Sequence, residues 1–290
     1  GFGCEFNSIN IQHQLKELED DPPYLRQVRL VLSKVKKDIG FGKSEMRQEV
    51  SFMDDEKGGW FMLERPNKPN DFLDKSGFLE PLNTSMFQIG VDTTKDMITE
   101  DGSKPVIIVF KKSCVINGEE TGLYPVAMWI SDTRLDIHFD EEVLKACMWY
   151  GCTVNYEIDA RTDFVRYFNQ KKCSKFLEWT PKFARNPVKR NFKIEPGTRS
   201  GDPFQLSAQL QIAKMYIDGT SQDEYNGHVH RVKFPTLLKQ LLKYDHAKRT
   251  PYDQVIALMM ALLPVIGEQQ MPIQPVKKKI LFQTYNLNYR

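Results

Sequence analysis

Residues 87–92 read Phe-Gln-Ile-Gly-Val-Asp, and the expected architecture is built around this stretch. Its apolar side chains alternate with smaller or polar ones, which predicts a β-strand with Asp92 at its end. Gly90 lies on the same face as Asp92 and would leave room beside the carboxylate for an approaching phosphate group. The alternative is that Asp92 only opens a turn with Thr93 and Thr94.

The segments after this strand predict an α/β fold with a mixed sheet. Two further strand candidates with short polar connections, 106–111 and 124–130, extend the first strand into an antiparallel meander. Helices and strands then alternate, which is typical of a sheet with helices packed on it. The later elements expected are a helix at 139–150, a strand at 153–158, a helix at 161–172 and a short strand at 176–179.

Residues 1–82 are expected to form a helix and β-hairpin extension followed by a linker. An acid, two prolines and then apolar residues at helical spacing predict a helix at 22–39. Strand-like stretches at 48–53 and 60–65 flank a glycine-ended turn, which indicates a hairpin. The proline-containing stretch 67–83 is typical of a linker.

Residues 83–266 are expected to form the main domain, and residues 267–290 a basic tail. The tail carries three consecutive lysines, 277–279. Apolar periodicity predicts three late helices, and the last of them should stop at Pro264. These helices are expected at 204–217, 234–244 and 251–263.

The composition is that of a folded protein with a sizeable core, since 41% of the 290 residues are hydrophobic and 11% aromatic. The longest apolar run, 255–266, is too short to span a bilayer, and the start does not resemble a signal peptide, so an intracellular location is expected. Five cysteines without a CxxC pair indicate reduced thiols. A net charge of +2 means that a nucleic-acid partner would need local basic patches.

Acids at the ends of elements are the candidates for metal binding. Phosphodiester cleavage by two magnesium ions needs converging carboxylates, because the ions lie about 3.5–4 Å apart and prefer hard oxygen ligands. Asp92 is the first candidate. Glu157 is the second, at the end of the strand predicted at 153–158, and Asp159 projects to the same side. The alternative for Glu157 is a surface acid, solvated or paired with Arg161.

Asp253 is the third candidate. The sequence Thr250-Pro251-Tyr252-Asp253 also fits a capping box, in which the acid only satisfies the start of a helix. The helix behind it, 255–262, is apolar on every face and must be buried, so a carboxylate on its first turn has a fixed direction. Capping and metal ligation do not exclude each other.

A basic stretch at 171–193 is the candidate for binding a nucleic-acid backbone. It contains a single acid, Glu178, and aromatic residues lie among its charges, which suits a surface that follows phosphates and stacks on bases. The alternative is a solvated face around one core strand. The basic residues are Lys171, Lys172, Lys175, Lys182, Arg185, Lys189, Arg190 and Lys193.

Two other patterns have simpler explanations. His228 and His230 alternate on a predicted strand and could touch nucleic acid or metal, but two histidines without further ligands are usually structural or solvated. Gly42-Lys43-Ser44 imitates the end of a phosphate-binding loop. Lys37 stands where such a loop needs a glycine, so a phosphate loop is rejected.

Three acidic motifs resemble, in order and spacing, those of the nuclease domains of tailed-phage large terminase subunits, in the ribonuclease H-like superfamily. The resemblance covers residues 83–266. Many relatives have two adjacent acids at the third motif, where this chain has Tyr252 before Asp253; Asp245 is a weaker candidate for the second carboxylate. The motifs are Ile89-Gly90-Val91-Asp92, Asn155-Tyr156-Glu157 and Tyr252-Asp253-Gln254-Val255.

The resemblance implies a ribonuclease H-like fold and an endonuclease that cuts concatemeric viral DNA during genome packaging. It implies that Asp92, Glu157 and Asp253 hold two Mg²⁺ or Mn²⁺ ions, with Asp159 and Asp245 as secondary candidates. The implied partners are double-stranded DNA, the ATPase motor domain of the same polypeptide, the portal and the small terminase subunit, with no membrane. The implied location is the portal of the viral procapsid in the host cytoplasm, and the protein is not secreted.

Two alternative functions stay open at this point. A transposase, integrase or junction resolvase of the same superfamily would share the acids and differ in its target DNA. A catalytically inactive module that docks on the portal or capsid would keep the fold without needing converging carboxylates. Acids more than about 8 Å apart would favour that module, because the two-metal geometry requires closer ligands.

Overall fold

The computed structural model of the chain describes residues 4–66, 79–93, 104–116, 119–130, 139–159, 163–189, 191–219, 227–249 and 251–269. Within these ranges its helices are α1 (Ser8–Asp20), α2 (Phe139–Tyr150), α3 (Asp163–Gln170), α4 (Pro203–Asp218), α5 (Pro235–Lys243) and α6 (Asp253–Gln269). Its strands are β1 (Arg26–Gly40), β2 (Lys43–Asp54), β3 (Trp60–Met62), β4 (Phe87–Asp92), β5 (Val106–Lys111), β6 (Cys114–Ile116), β7 (Glu119–Thr121), β8 (Tyr124–Ile130) and β9 (Val154–Asn155).

Two predicted segments fall wholly or mostly outside the described residues: the linker, at 67–78, and the basic tail, beyond 269. Among the helices that are described, none has the length and apolar character needed to cross a membrane.

A seven-stranded mixed sheet, in the order β2-β1-β3-β8-β5-β4-β9, organises the fold. Strands β4, β5 and β8 form the predicted antiparallel meander, and β9 runs parallel to β4. The small hairpin β6–β7 is inserted between the second and third strands of the meander. The predicted α/β class, with a mixed sheet flanked by helices, is confirmed, and the strand order around β4 is consistent with a ribonuclease H-like fold.

Helices cover both faces of the central strands. On one face, Ile89 and Val91 of β4 pack with residues of α2 and α3. On the other face, Ile108 and Phe110 of β5 pack with residues of α1, α4, α5 and α6. Because both faces are covered, every residue of β5 is buried, and the strand is an almost continuous apolar run in the sequence.

Helix α6 lies directly on β4 at Gly90. A Cβ atom on Gly90 would lie 2.1 Å from the Ala261 nitrogen and 2.2 Å from the Ala257 oxygen, so only glycine permits this approach. The interpretation of Gly90 as a clearing for a phosphate is therefore wrong, because a helix fills that space. The prediction that α6 is buried on every face is confirmed for residues 253–266.

Helix α6 also continues through Pro264, where the sequence predicts a stop. A proline lacks the N–H that would bond the carbonyl four residues earlier, here that of Met260. The side-chain amide of Asn155 donates to the Met260 oxygen at 2.9 Å and replaces the missing donor. Its Oδ1 accepts a hydrogen bond from the Thr198 hydroxyl at 2.9 Å. The buried Asn155 thus allows the helix to continue and ties β9 to it.

The helix predicted at 22–39 is wrong, because these residues contribute most of β1. The apolar residues there fit a helical spacing, but Val28, Leu30 and Leu32 also alternate, and β1 packs these side chains into the core that contains α2. The helix of the N-terminal segment is α1, which the sequence analysis missed. It begins after Asn7, whose side chain accepts two backbone N–H groups of the first turn.

The predicted strands at 48–53 and 60–65 overlap β2 and β3, but they do not pair with each other. Strand β2 pairs with β1 through a turn in which Gly40 faces Lys43, and β3 pairs with the opposite side of β1. Strand β3 also pairs with β8, so the three N-terminal strands extend the central sheet. Turn residues alone could not reveal on which side of β1 each strand lies.

Two further expectations are corrected. The strand predicted at 176–179 is wrong, because Ser174–Phe176 forms a 3-10 turn and the residues after it make isolated bridges. His228 and His230 lie at a second 3-10 turn instead of a strand. The Gly-Lys-Ser sequence lies at the turn between β1 and β2, which agrees with the rejection of a phosphate loop.

We expect Asn155→Ala to destabilise the protein by about 2–4 kcal/mol, because it leaves the Met260 carbonyl and the Thr198 hydroxyl without buried partners. Pro264→Ala supplies a new helical N–H to the same carbonyl. The loss on removing Asn155 should therefore shrink by about 1 kcal/mol in that background. Urea unfolding of the wild type, the two single variants and the double variant measures this coupling. Effects that add within about 0.5 kcal/mol would show that Asn155 does not replace the missing donor.

Candidate active site

Three separate elements supply Asp92, Glu157 and Asp253. The acids approach one another at the end of the sheet where β4 and β9 terminate. Asp92 ends β4, Glu157 follows β9, and Asp253 begins α6. Because β4 and β9 are parallel, with Gly90 opposite Asn155, both strands end at the same edge. The packing of α6 on Gly90 brings the start of the helix to that edge as well.

Asp92 shows the electrostatic consequence of this clustering. Its side chain is buried, and burial raises the pKa of Asp92 well above its usual range. The negative charges of Glu157 and Asp253 raise the pKa further, while Arg249 acts in the opposite direction. Asp92 and Asp253 share a hydrogen bond, which two ionised carboxylates cannot make.

A backbone donor holds Asp253 in position. The Lys104 N–H, just before β5, donates to Oδ2 of Asp253 at 2.8 Å. The Asp253 side chain is only 6% exposed, and the helix behind it is enclosed by the core. The other residue of the predicted capping box, Thr250, lies outside the described residues.

Glu157 is positioned by the backbone and by two side chains. It forms an isolated parallel bridge with Thr198, which continues the line of β9 beyond its last residue. The Ser200 hydroxyl donates to Oε1 of Glu157. The guanidinium of Arg249 donates to the same oxygen at 2.6 Å. Arg161, the alternative partner of Glu157, lies outside the described residues.

Arg249 is a cation in direct contact with this group. It pairs with Glu157 and also donates to the Gln209 side chain at 3.0 Å. Its Nε is buried and has no hydrogen-bond partner among the described residues. Sequence reasoning missed Arg249 and Ser200, because neither belongs to a local pattern. It named Asn155 within the second acidic motif but gave it no role.

The donor set fits a hard divalent cation. All three acids offer carboxylate oxygens, the ligands that Mg²⁺ and Mn²⁺ prefer, and their mutual repulsion is what a cation would relieve. Within the described part of the chain, no three Asp, Glu, His or Cys side chains are arranged to hold one ion as they stand. In this state Glu157 is paired with Arg249.

Asp159 lies in a cleft of about 660 Å³ that Glu157 and Lys189 also line. Its carboxylate pairs with Arg199 at 2.9 Å and accepts the Gly201 N–H at 3.0 Å. These contacts support the turn before α4 and occupy both oxygens of Asp159.

Asp245 has a structural task in the loop between α5 and α6. Its Oδ1 accepts the Ala247 N–H at 2.9 Å, and its carbonyl accepts the Lys248 N–H at 3.0 Å. This turn leads directly to Arg249. Asp245 therefore shapes the loop that carries the arginine, and it stays a secondary candidate for metal binding.

The basic stretch 171–193 runs around the β9 edge of the sheet. Lys171 and Lys172 follow α3, on the face that α2 covers. Lys182 lies in a 3-10 turn that packs on α6 and α4, on the opposite face. Arg190 lies outside the described residues.

Several of these basic side chains have partners within the chain. Lys189 is the member of the set that lines the cleft beside Glu157. The local contacts are Lys175 with Glu80 (3.8 Å), Lys189 with Asp202 (3.0 Å), Lys193 with Glu195 (3.0 Å) and Arg185 with the Thr180 carbonyl (2.9 Å).

The sequence matches no protein-family model and no curated protein. Among solved structures, the chain is similar to the large terminase nuclease from thermophilic phage G20c. The identity is 12% and the TM-score 0.39, over 71% of this chain and 89% of that chain. At these values the likeness carries no argument about function or about individual residues.

We expect Asp92→Asn to make the metal-free protein more stable at neutral pH. The native state holds the Asp92 proton more tightly than the unfolded chain does. Wild-type stability therefore falls as the pH rises from the unfolded pKa, about 3.9, towards the raised native pKa. Asparagine stays neutral and can still donate to Asp253. Thermal unfolding in EDTA measures the gain, and each kcal/mol corresponds to about 2–4 °C.

The advantage of Asp92→Asn should shrink as the pH falls below about 4, where both the native and the unfolded wild type bind the proton. Asp54→Asn is the control, because Arg26 lowers the pKa of this exposed acid and the sign is reversed. Removing that charge should bring no gain at neutral pH. If Asp92→Asn were no more stable than the wild type at neutral pH, the proposed repulsion among the three acids would be contradicted.

Proposed function

We propose that this chain is a metal-dependent DNA endonuclease with Asp92, Glu157 and Asp253 as its catalytic carboxylates. The observation that carries the proposal is the clustering of these acids from three distant parts of the chain. Gathering buried acids against their repulsion lowers stability, and strongly perturbed carboxylates of this kind are enriched at functional sites.

Two Mg²⁺ or Mn²⁺ ions bound by these carboxylates would supply an activated water and stabilise the leaving 3′ oxygen. The chain's own residues hold the ligands in place. The Lys104 N–H fixes Asp253, and the Ser200 hydroxyl orients Glu157. Arg249, beside Glu157, offers a planar guanidinium that suits a phosphate group entering the cleft.

The basic stretch would hold the DNA backbone with little sequence preference. Lys189 is the member best placed for this, because it lines the same cleft as Glu157. The other candidates would contact phosphates further along the duplex, on the two sides of the β9 edge. These are Lys171, Lys172, Lys175, Lys182, Arg185, Arg190 and Lys193.

Within this class of enzyme we propose the nuclease part of a tailed-phage large terminase subunit. The order and spacing of the three acidic motifs support this assignment. The chain would then cut concatemeric viral DNA during packaging, joined to an ATPase motor domain in the same polypeptide. Its further partners would be the portal and the small terminase subunit, at the procapsid in the host cytoplasm.

The test is cleavage of supercoiled plasmid with Mn²⁺, Mg²⁺ or EDTA. We expect metal-dependent nicking and linearisation by the parent. Asp92→Asn, Glu157→Gln and Asp253→Asn should each lower the rate by more than the roughly 10–100-fold that loss of a ligand-supporting residue costs. Glu19→Gln, an exposed acid on α1, is the matched control and should cleave like the parent.

Other outcomes would favour the alternatives. No cleavage by the parent with either metal, together with no Mn²⁺ binding by calorimetry, would overturn the nuclease proposal and favour a docking module. Cleavage of branched junctions or transposon ends in preference to linear duplex would favour a resolvase or transposase.

We expect Arg249→Gln to raise the affinity for Mn²⁺ by about tenfold, which corresponds to about 1.4 kcal/mol. The guanidinium and the metal are both cations that compete for Glu157. Glutamine removes the charge and can still hydrogen-bond to Gln209. Calorimetric titration measures the affinity, and Arg26→Gln, which breaks an exposed ion pair with Asp54, is the control. Equal or weaker Mn²⁺ binding by Arg249→Gln would contradict the competition.

A further inference from the structure

The β1–β2 hairpin leaves the body of the protein as a two-stranded arm, residues 33–47. Closer to the body, Leu32 on β1 and Val50 on β2 still pack into the core that contains α2. Beyond them, none of the described side chains of the arm is buried. The two strands of the arm pair with each other and both its faces meet solvent.

The register of the sheet fixes the direction of the arm. One row of paired residues runs across β4, β5, β8, β3 and β1. In that order its members are Val91, Ile107, Trp129, Trp60 and Val28. Asp92 is one residue beyond this row, at the end of β4. Strand β1 continues beyond the same row as far as Gly40. The arm therefore projects past the end of the sheet at which β4 and β9 terminate and the three acids meet.

The dimensions suit a duplex that contacts the arm and the acids together. At about 3.3 Å per residue, the eight residues from Ser33 to Gly40 extend the arm by roughly 25 Å. Four strand spacings of about 4.8 Å, roughly 19 Å in all, separate β1 from β4. One turn of B-DNA spans about 34 Å, so both features can reach the same turn.

The arm carries a local excess of positive charge. Five basic residues and two acids give it a net charge of +3, whereas the whole chain has +2. Lys34 and Lys36 are exposed, and their cross-strand neighbours, Gln48 and Met46, are neutral. Lys43 is exposed at the turn. No carboxylate in the described part of the chain pairs with these three lysines.

The tip of the arm is an aromatic side chain without a packing role. Phe41 is fully exposed and has a φ of 55°, between Gly40 and Gly42, which also have positive φ. A bulky residue in this conformation is uncommon and costs free energy. Proteins that bind DNA grooves place apolar side chains in such positions, where these contact or separate base steps.

We propose that the arm binds double-stranded DNA, with Lys34, Lys36 and Lys43 on phosphates and Phe41 against the bases or sugars in a groove. The major groove of B-DNA, about 12 Å wide, admits a two-stranded β-ribbon. The inference rests on the proposed function for its choice of ligand. It adds a second contact, separate from the cleft, that would hold the duplex across the catalytic edge.

The test is binding of the full chain to a labelled linear duplex of about three helical turns. Fluorescence anisotropy measures the affinity in EDTA at about 50–200 mM salt. The triple variant Lys34→Ala/Lys36→Ala/Lys43→Ala should bind more weakly. Its slope of log affinity against log salt should be smaller by about 2–3, because each phosphate contact contributes about 0.9. Phe41→Ala should lower the affinity at every salt concentration without changing the slope.

The triple variant Lys16→Ala/Lys239→Ala/Lys243→Ala is the control, with the same change in charge on exposed lysines of α1 and α5. An arm variant that matches this control in affinity and slope would overturn the proposal, and would mark the arm as a contact for protein. Absence of duplex binding by the parent would overturn it too. Because binding is measured without metal, a failure of the nuclease proposal would appear separately, in the plasmid assay.

Discussion

The contact between Gly90 and the backbone of α6 is the constraint on which the rest of this structure depends. It brings a helix against β4, the first strand of the meander, at a distance that no other residue allows. The helix then delivers Asp253 to the end of β4, although 161 residues separate it from Asp92 in the sequence. Asn155 adds a second tie by bonding the carbonyl that Pro264 leaves without a helical donor. The positions of the acids thus follow from backbone packing.

This packing creates an excess of negative charge that the metal-free chain relieves in two ways. The raised pKa of Asp92 favours its neutral form, and a guanidinium is paired with Glu157. Both devices neutralise charge that water cannot screen, because the carboxylates are largely buried. Arg249 reaches the group from a loop shaped by Asp245. A loop is an element that can move without disturbing the core, whereas Asp92 and Asp253 are fixed by the sheet and the helix.

Local patterns in the sequence predicted the centre of the fold and could not predict its N-terminal edge. Strands β5 and β8 have the predicted bounds because each is mostly an apolar run, and helix α2 has them because its apolar residues recur at helical spacing. In β1 the same apolar residues fit both a helix and a strand, and packing on α2 decides between them. The candidate acids could be found because each ends an element. Asn155 and Arg249 could not, since their partners Met260 and Glu157 lie 105 and 92 residues away.

The electrostatic cost bears on the choice between a nuclease and a docking module. A protein that only docks would fold better with asparagine at Asp92, which keeps the shape and the hydrogen bond and removes a charge. A protein that binds cations through the acids recovers the cost, because an ion that binds only the native state stabilises it in proportion to occupancy. The free energy lost to repulsion in the metal-free chain would then return as affinity for the ion. The repulsion among the acids therefore lowers the stability of the metal-free chain only, and that form cannot cleave DNA by a metal-dependent mechanism.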